Sequence, residues 1–497
     1  MNIWTQLELR FRVNADRPAL TDNNGSSVSY GELLVKVKGI AARIRARSQA
    51  GSRICILHTH SYFDALAVLG TLAADRIVVP MSLNYGETNC CQIMKRAEPC
   101  LLLSDVNPLP ESIAAIVRDQ NITILPIGSE SDETWNGDAV AVESDLAMLM
   151  FTSGTTGVPK GAMLTHGNIL ANLGDIAAYF TMTPEDHFLI ARPLYHGAVM
   201  TGEFLHGLMH GAKITFYNEA FSPRRLLAFL AEKACTTMCA TPTLFYHLAM
   251  NKRKVELPAL RKVVVSGECL NPQVAEQILI SFPGVRFFNV YGLTEASPRV
   301  CHLDPEYFMA KIGSVGVPLK SVSIRVMDED GGETVRGEIG ELLVQGPNVM
   351  RGYWKDDTLT AQKIVDGWLH TGDMCRQDED GFLFIIGRKD HMIIRAGVNI
   401  YPQDIENTLL KDVAFKEVMV WGETDANYGQ RICAAFVPAS EAALSNADII
   451  GICRQRLDAY KWPDEVFVVA SLPRNASGKV MRVRPQVPPP AVAPVTV

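Results

Sequence analysis
The chain has 497 residues, 47% hydrophobic and 20% charged, which suits folded domains with large cores and excludes wholesale disorder. Its net charge of −7 carries no polybasic footprint, so neither nucleic acid nor an anionic membrane surface is expected as a main partner. The 11 cysteines are scattered without a C-x-x-C, no run of about 18 apolar residues occurs, and MNIWTQLELRF has no apolar signal core; a reducing, cytoplasmic setting without a membrane span is expected.

In chain order, RICILHTH (53–60) and RIVVPMSL (76–83) read as strands, with FDALAVLGTLAA (63–74) as a helix between them. LAMLMF (146–151) is a buried-strand run that leads at once into a loop rich in glycine and threonine. After that loop Thr165 is expected to cap a helix, because Ile169, Leu170, Leu173, Ile176, Ala177 and Phe180 share one face. Such alternation predicts parallel sheets covered by helices. From about Val315 the texture changes to antiparallel hairpins, VSIRVMD and GELLVQG around DGGE. Beyond GRKD (387–390) the pattern is a helix opened by Pro402, strands EVMVW and ICAAFV, a helix near 449–457 and a strand EVFVVA. These suit a small α+β domain. The tail from Pro485, PQVPPPAVAPVTV, is expected to be unstructured.

MFTSGTTGVPKGAML (150–164) raises the question of what its glycines serve. A Walker loop needs a hydroxyl directly after its lysine, and here Gly161 follows Lys160. The hydrolase elbow G-x-S-x-G fails as well, since Phe151 and Thr152 precede Ser153. Two readings remain: an ordinary surface turn, or a loop whose amides and hydroxyls wrap a polyphosphate while Lys160 adds charge.

TSGTTGVPKG is followed, in order, by YGLTE (291–295), GELLVQGPNVMRGYW, GWLHTGD (367–373), GRKD, NIYPQDIE (399–406) and NASGKV (475–480). With these motifs the chain resembles the adenylate-forming superfamily: acyl-CoA synthetases, peptide-synthetase adenylation domains and beetle luciferases. The resemblance implies an α/β fold with an α+β part. A large N-terminal domain (1–387) would hold two α/β subdomains and a β-barrel-like part, followed by a small mobile C-terminal α+β domain (388–484) and the tail 485–497.

The reaction implied has two steps. A carboxylic acid attacks the α-phosphate of ATP and releases pyrophosphate, and a thiol then takes the acyl group from the acyl-AMP. A carboxylate is already ionised at neutral pH, so the first step needs alignment of two anions and charge neutralisation rather than a base. By resemblance Thr152, Ser153, Gly154, Thr155, Thr156, Gly157 and Lys160 hold the β- and γ-phosphates. Thr294 touches the α-phosphate and Glu295 binds Mg2+. Asn289, Tyr291 and Gly292 frame the adenine; Asp373 accepts from the ribose hydroxyls, and Arg388 bonds ribose or phosphate. Lys479 bridges the carboxylate and the α-phosphate, Asp390 is the domain hinge, and Gly397 lines the pantetheine tunnel for coenzyme A.

The acid pocket is assigned to PLYHGAVMTGEFLHG (193–207), VVVSGECL (263–270) and FNVYG, with His196 as aromatic gate and Gly197, Met200, Gly267 and Glu268 as lining. No Asp stands between His196 and Gly207 to pair an α-ammonium, so an apolar fatty or aryl acid is expected. Glu203 is left as an acid facing solvent or a lysine, or else pairing a distal amine. His206 and His210 lack a third donor and are read as structural. Arg395-Ala396-Gly397 stands where the superfamily carries Ser/Gly-Gly, so free CoA and a carrier protein's pantetheine both stay open as acceptors. A luciferase-like oxygenase and a silent AMP-binding protein share the fold.

Overall fold
The computed structural model describes residues 2–485 apart from 24, 60, 129–136, 138, 139, 154–157, 253, 254, 269, 426, 440–443 and 475–479. The glycine-loop residues Gly154, Thr155, Thr156 and Gly157, the lysine Lys479 and the tail beyond Pro485 therefore lie outside the described residues.

Contacts divide the chain into two units, Met1–Ile324 with Val344–His370, and Arg325–Leu343 with Thr371–Val497. The division differs from the boundary expected at residue 388. The hairpin from Arg325 and the strands from Thr371 join the C-terminal unit, partly through Lys389 on Glu341 (2.9 Å) and Asn399 on Glu329 (2.9 Å).

Apolar runs such as Ile77–Met81 and Thr237–Ala240 are buried along their whole length, as strands covered on both faces must be. They build two sheets in the first unit. In the six-stranded sheet the order is Thr123–Leu125, Leu101–Leu103, Arg53–Leu57, Ile77–Met81, Leu146–Ser153 and Pro159–Thr165. All of its neighbours pair parallel except the last two. The nine-stranded sheet has a parallel centre: Arg286–Gly292, Lys262–Val265, Thr237–Ala240, His187–Ile190, Lys213–Phe216 and Pro18–Thr21.

The strand Pro159–Thr165 corrects the expected strand–loop–helix order. The chain returns antiparallel after the glycine loop, setting Lys160 opposite Thr152, before the helix His166–Tyr179 begins. Thr165 caps that helix as expected, in a reciprocal box with Asn168.

In the second unit the helices Pro402–Leu409 and Asn446–Arg456 bury Ile405, Leu409, Ile449 and Cys453. They share an apolar core with Val420, Ile432 and Phe436 of the sheet strands Phe415–Asp425 and Gly429–Pro438.

Candidate active site
Ligands of open α/β sheets bind beyond the carboxyl ends of the strands, and the predicted residues of the first unit gather there. His187–Ile190 leads into Arg192, His196 and Gly197; Lys262–Val265 leads into Ser266, Gly267 and Glu268; Arg286–Gly292 leads into Thr294 and Glu295. A Cβ added at Gly197 would lie 3.6 Å from Met150 Cε and 3.9 Å from Thr294 Oγ1. The predicted acid wall and the predicted phosphate turn therefore lie side by side.

Thr294 and Glu295 open a short 3-10 turn, and Tyr353 Oη donates to Glu295 Oε1 at 2.9 Å. Tyr353 also bridges Ala162, which ties the strand carrying Lys160 to this turn. Among the described residues no carboxylate pairs with Lys160. Glu295 supplies the hard oxygen that suits Mg2+.

Two predicted adenine residues have work in the fold itself. Asn289 is buried and donates to Ser314 O at 2.7 Å. Gly292 packs so closely that a Cβ would fall 1.8 Å from Pro298 O. Tyr291 is half-buried at the end of the same strand.

His196, the expected gate, stands among the rings of Tyr195 and Tyr85. Tyr195 lies 4.5 Å away by centroid, and Tyr85 Oη meets His196 Nδ1 at 3.4 Å. Met200 is buried and begins a π-helical turn, Met200–Leu205, a feature common at functional sites. Glu203 in that turn is not the solvent-facing acid expected: its side chain is fully buried and paired with Arg192 Nη2. Burial pushes the Glu203 carboxyl up, and the Arg192 guanidinium opposes this. Glu268 accepts from Thr243 Oγ1 at 2.8 Å.

His206 Nε2 donates to Phe180 O at 3.1 Å, and burial pushes the imidazole down to about 3, so it stays neutral. His210 bonds His206 O at 2.8 Å, consistent with a structural pair.

In the second unit Asp373 and Arg388 face each other across a strand pair at 3.2 Å. Arg388 also pairs with Asp390 at 3.3 Å, and Asp390 lies in the turn Lys389–His391. Ala396 (φ +49°) and Gly397 (φ +79°) form the turn between Ile393–Arg395 and Val398–Ile400. Two central residues with positive φ are the signature of a type I′ hairpin turn.

Residues 7–354 match the AMP-binding enzyme family and residues 404–479 match its C-terminal domain. The chain belongs to the AMP-binding enzyme family. It is an adenylate-forming enzyme of the acyl-CoA synthetase type, which uses ATP, Mg2+ and coenzyme A. Similar members include the feruloyl-CoA synthase of Amycolatopsis sp, 31% identical over 93% of this chain and 94% of that one. The medium-chain fatty-acid–CoA ligase of Escherichia coli (strain K12) is 32% identical over 95% and 87%. Among solved structures, o-succinylbenzoate CoA synthetase from Bacillus subtilis with its acyl-adenylate intermediate superposes with a TM-score of 0.88, at 28% identity and 97% coverage of both chains. The same enzyme with ATP and magnesium gives 0.86 at 28% identity, with 97% and 98% covered.

No described helix is long and apolar enough to cross a membrane. All ten described cysteines are free thiols.

Proposed function
We propose that this member of the family activates an apolar carboxylic acid, fatty or aryl, as its acyl-AMP and transfers the acyl group to the thiol of free coenzyme A. The observation that carries the reading is how near Gly197 lies to Thr294, whose Oγ1 would be 3.9 Å from a Cβ added at Gly197. It sets the assigned acid segment beside the hydroxyl assigned to the α-phosphate, with space between them that no side chain fills, and alignment is what the first step most requires.

Each residue then has a task. Thr152, Ser153 and Lys160 hold phosphate oxygens together with the amides and hydroxyls of 154–157. Thr294 donates at the α-phosphate, and Glu295, steadied by Tyr353, presents oxygen for Mg2+, which when bound neutralises phosphate charge. Asp373 accepts from the ribose hydroxyls and Arg388 keeps it oriented. Lys479 neutralises the approaching anions, and Asp390 is the pivot about which 388–484 turns against 1–387. His196 closes the acid's entrance, and Gly397 keeps the thiol's path clear. The setting is cytoplasmic.

Loading of a carrier protein is the second reading, favoured by Ala396 where a second glycine is usual. Pyrophosphate–ATP exchange over a panel of fatty, aryl and α-amino acids tests the acid. Exchange driven best by fatty or aryl acids is expected, and a preference for α-amino acids overturns the pocket assignment. Thioester formation that needs a carrier protein and ignores free CoA overturns the acceptor.

A further inference from the structure
The acid wall borders a cation that the proposed chemistry does not use. Arg192 precedes Pro193 at the carboxyl end of its strand, and its guanidinium joins the segments that frame the pocket. Nη2 pairs with Glu203 of the π-helical turn and donates to Ser266 Oγ at 3.1 Å, while Nη1 lies 3.7 Å from where a Cβ on Gly267 would be. Gly267 has φ +96°, a conformation that keeps this position without a side chain and leaves room beside the guanidinium.

The pair is incomplete as it stands. Glu203 Oε2 and Arg192 Nε are buried without a hydrogen-bond partner. Glu203 has no exposure, whereas Arg192 keeps 12%. Buried polar atoms are rarely left unmet, and leaving them so costs stability that an apolar pair would not lose. A wall meant only for hydrocarbon needs neither residue.

We infer that Arg192 is a specificity-determining residue that receives a neutral oxygen, hydroxyl or carbonyl, on the tail of the acid, with Glu203 positioning it and cancelling its charge. Cancelled charge disfavours a second carboxylate, which would face the Glu203 anion. A hydroxyl or carbonyl oxygen can accept from the partly exposed guanidinium, whose Nη1 borders the space at Gly267. The inference rests on the proposed function and narrows its acid to one that is apolar except for a single oxygen.

The experiment is pyrophosphate–ATP exchange with matched acids that differ by one tail oxygen, such as cinnamate against 4-hydroxycinnamate and octanoate against hydroxyoctanoates. The wild-type protein should favour at least one oxygenated acid by about tenfold or more in kcat/KM over its plain counterpart. Arg192→Leu alone leaves Glu203 buried and unpaired, so the informative variant is Arg192→Leu/Glu203→Leu. That variant should lose the preference, with the change in KM and kcat for oxygenated acids and not for plain ones. Plain acids turned over as well as every oxygenated partner, or a preference that survives in the double variant, overturns this inference and leaves the ligase reading intact. If no acid of either series drives exchange in the wild type, the proposed fatty or aryl acid class falls and this inference with it.

Discussion

Asp373 and Arg388 stand opposite each other on adjacent antiparallel strands, with Oδ1 and Nη1 3.2 Å apart. Arg388 is held from two further directions, by Thr371 O at 3.1 Å and by Asp390 at 3.3 Å. A carboxylate fixed in this way is a preorganised acceptor for a sugar diol. Asp373→Asn keeps the shape and removes the charge, and hydrogen bonds to charged groups contribute about 1.5–3 kcal/mol. KM for ATP should rise about 10- to 100-fold. An unchanged KM in a folded variant contradicts the assignment.

The hairpin turn at Ala396 stores strain that the sequence does not require. Ala396 has φ +49°, a left-handed conformation that costs a residue with a Cβ roughly 1–2 kcal/mol. Ala396→Gly should raise stability by up to about 1 kcal/mol in chemical denaturation, the larger entropy of unfolded glycine offsetting part of the relief. A loss of stability would mean that Ala396 makes a contact that matters more than its backbone.

Arg482 anchors the chain three residues after Lys479. It bonds both carboxylate oxygens of buried Glu406 and donates to Val420 O at 2.7 Å. Removing one partner of a buried pair leaves an uncompensated charge, so Arg482→Leu should destabilise the second unit by about 3–5 kcal/mol. Arg482→Leu/Glu406→Leu should recover most of that loss. A double variant no better than the single one contradicts the pairing as the cause.

Burial pushes five histidines below their usual value, His302 and His391 among them, and takes His166 and His187 to about 4 and His206 to about 3. Unfolded histidines take up protons below about pH 6.5 while these stay neutral in the fold, so the unfolded state binds more protons. Their contribution is fully present above that pH, and is lost progressively as pH falls from about 6.5 to about 4. Glu203 and Glu406 are raised by burial and act in the opposite sense, but each is held by an arginine that offsets the shift. The unfolding free energy from urea titration should fall between pH 7 and pH 5, by on the order of 1–2 kcal/mol for each of the three most lowered histidines, and the midpoint with it. A midpoint that is flat or rises on acidification contradicts this.

Local patterns made much of the architecture legible. Arg53–Leu57, Ile77–Met81 and the helix from His166 announced themselves by apolar period and by the Thr165 cap. Of the expected residues, Gly197, Gly267, Thr294 and Glu295 follow the carboxyl ends of strands. What escaped depends on tertiary pairing. Pro159–Thr165 is a strand because it lies against Leu146–Ser153, and its mix of Pro, Lys and Gly has no strand period of its own. Tyr85 and Tyr353 reach His196 and Glu295 from 111 and 58 residues away. The Arg192–Glu203 pair went unseen, because burial of a charge shows only when its partner is placed.

The central claim is that the chain joins an acid to coenzyme A at the expense of ATP cleaved between its α- and β-phosphates. Its most direct test is product stoichiometry by chromatography and mass measurement, with purified protein, ATP, Mg2+, CoA and an acid found active by exchange. One AMP, one pyrophosphate and one acyl-CoA should form per acid consumed. ADP and phosphate in place of AMP and pyrophosphate, or AMP without a thioester to CoA, would contradict it.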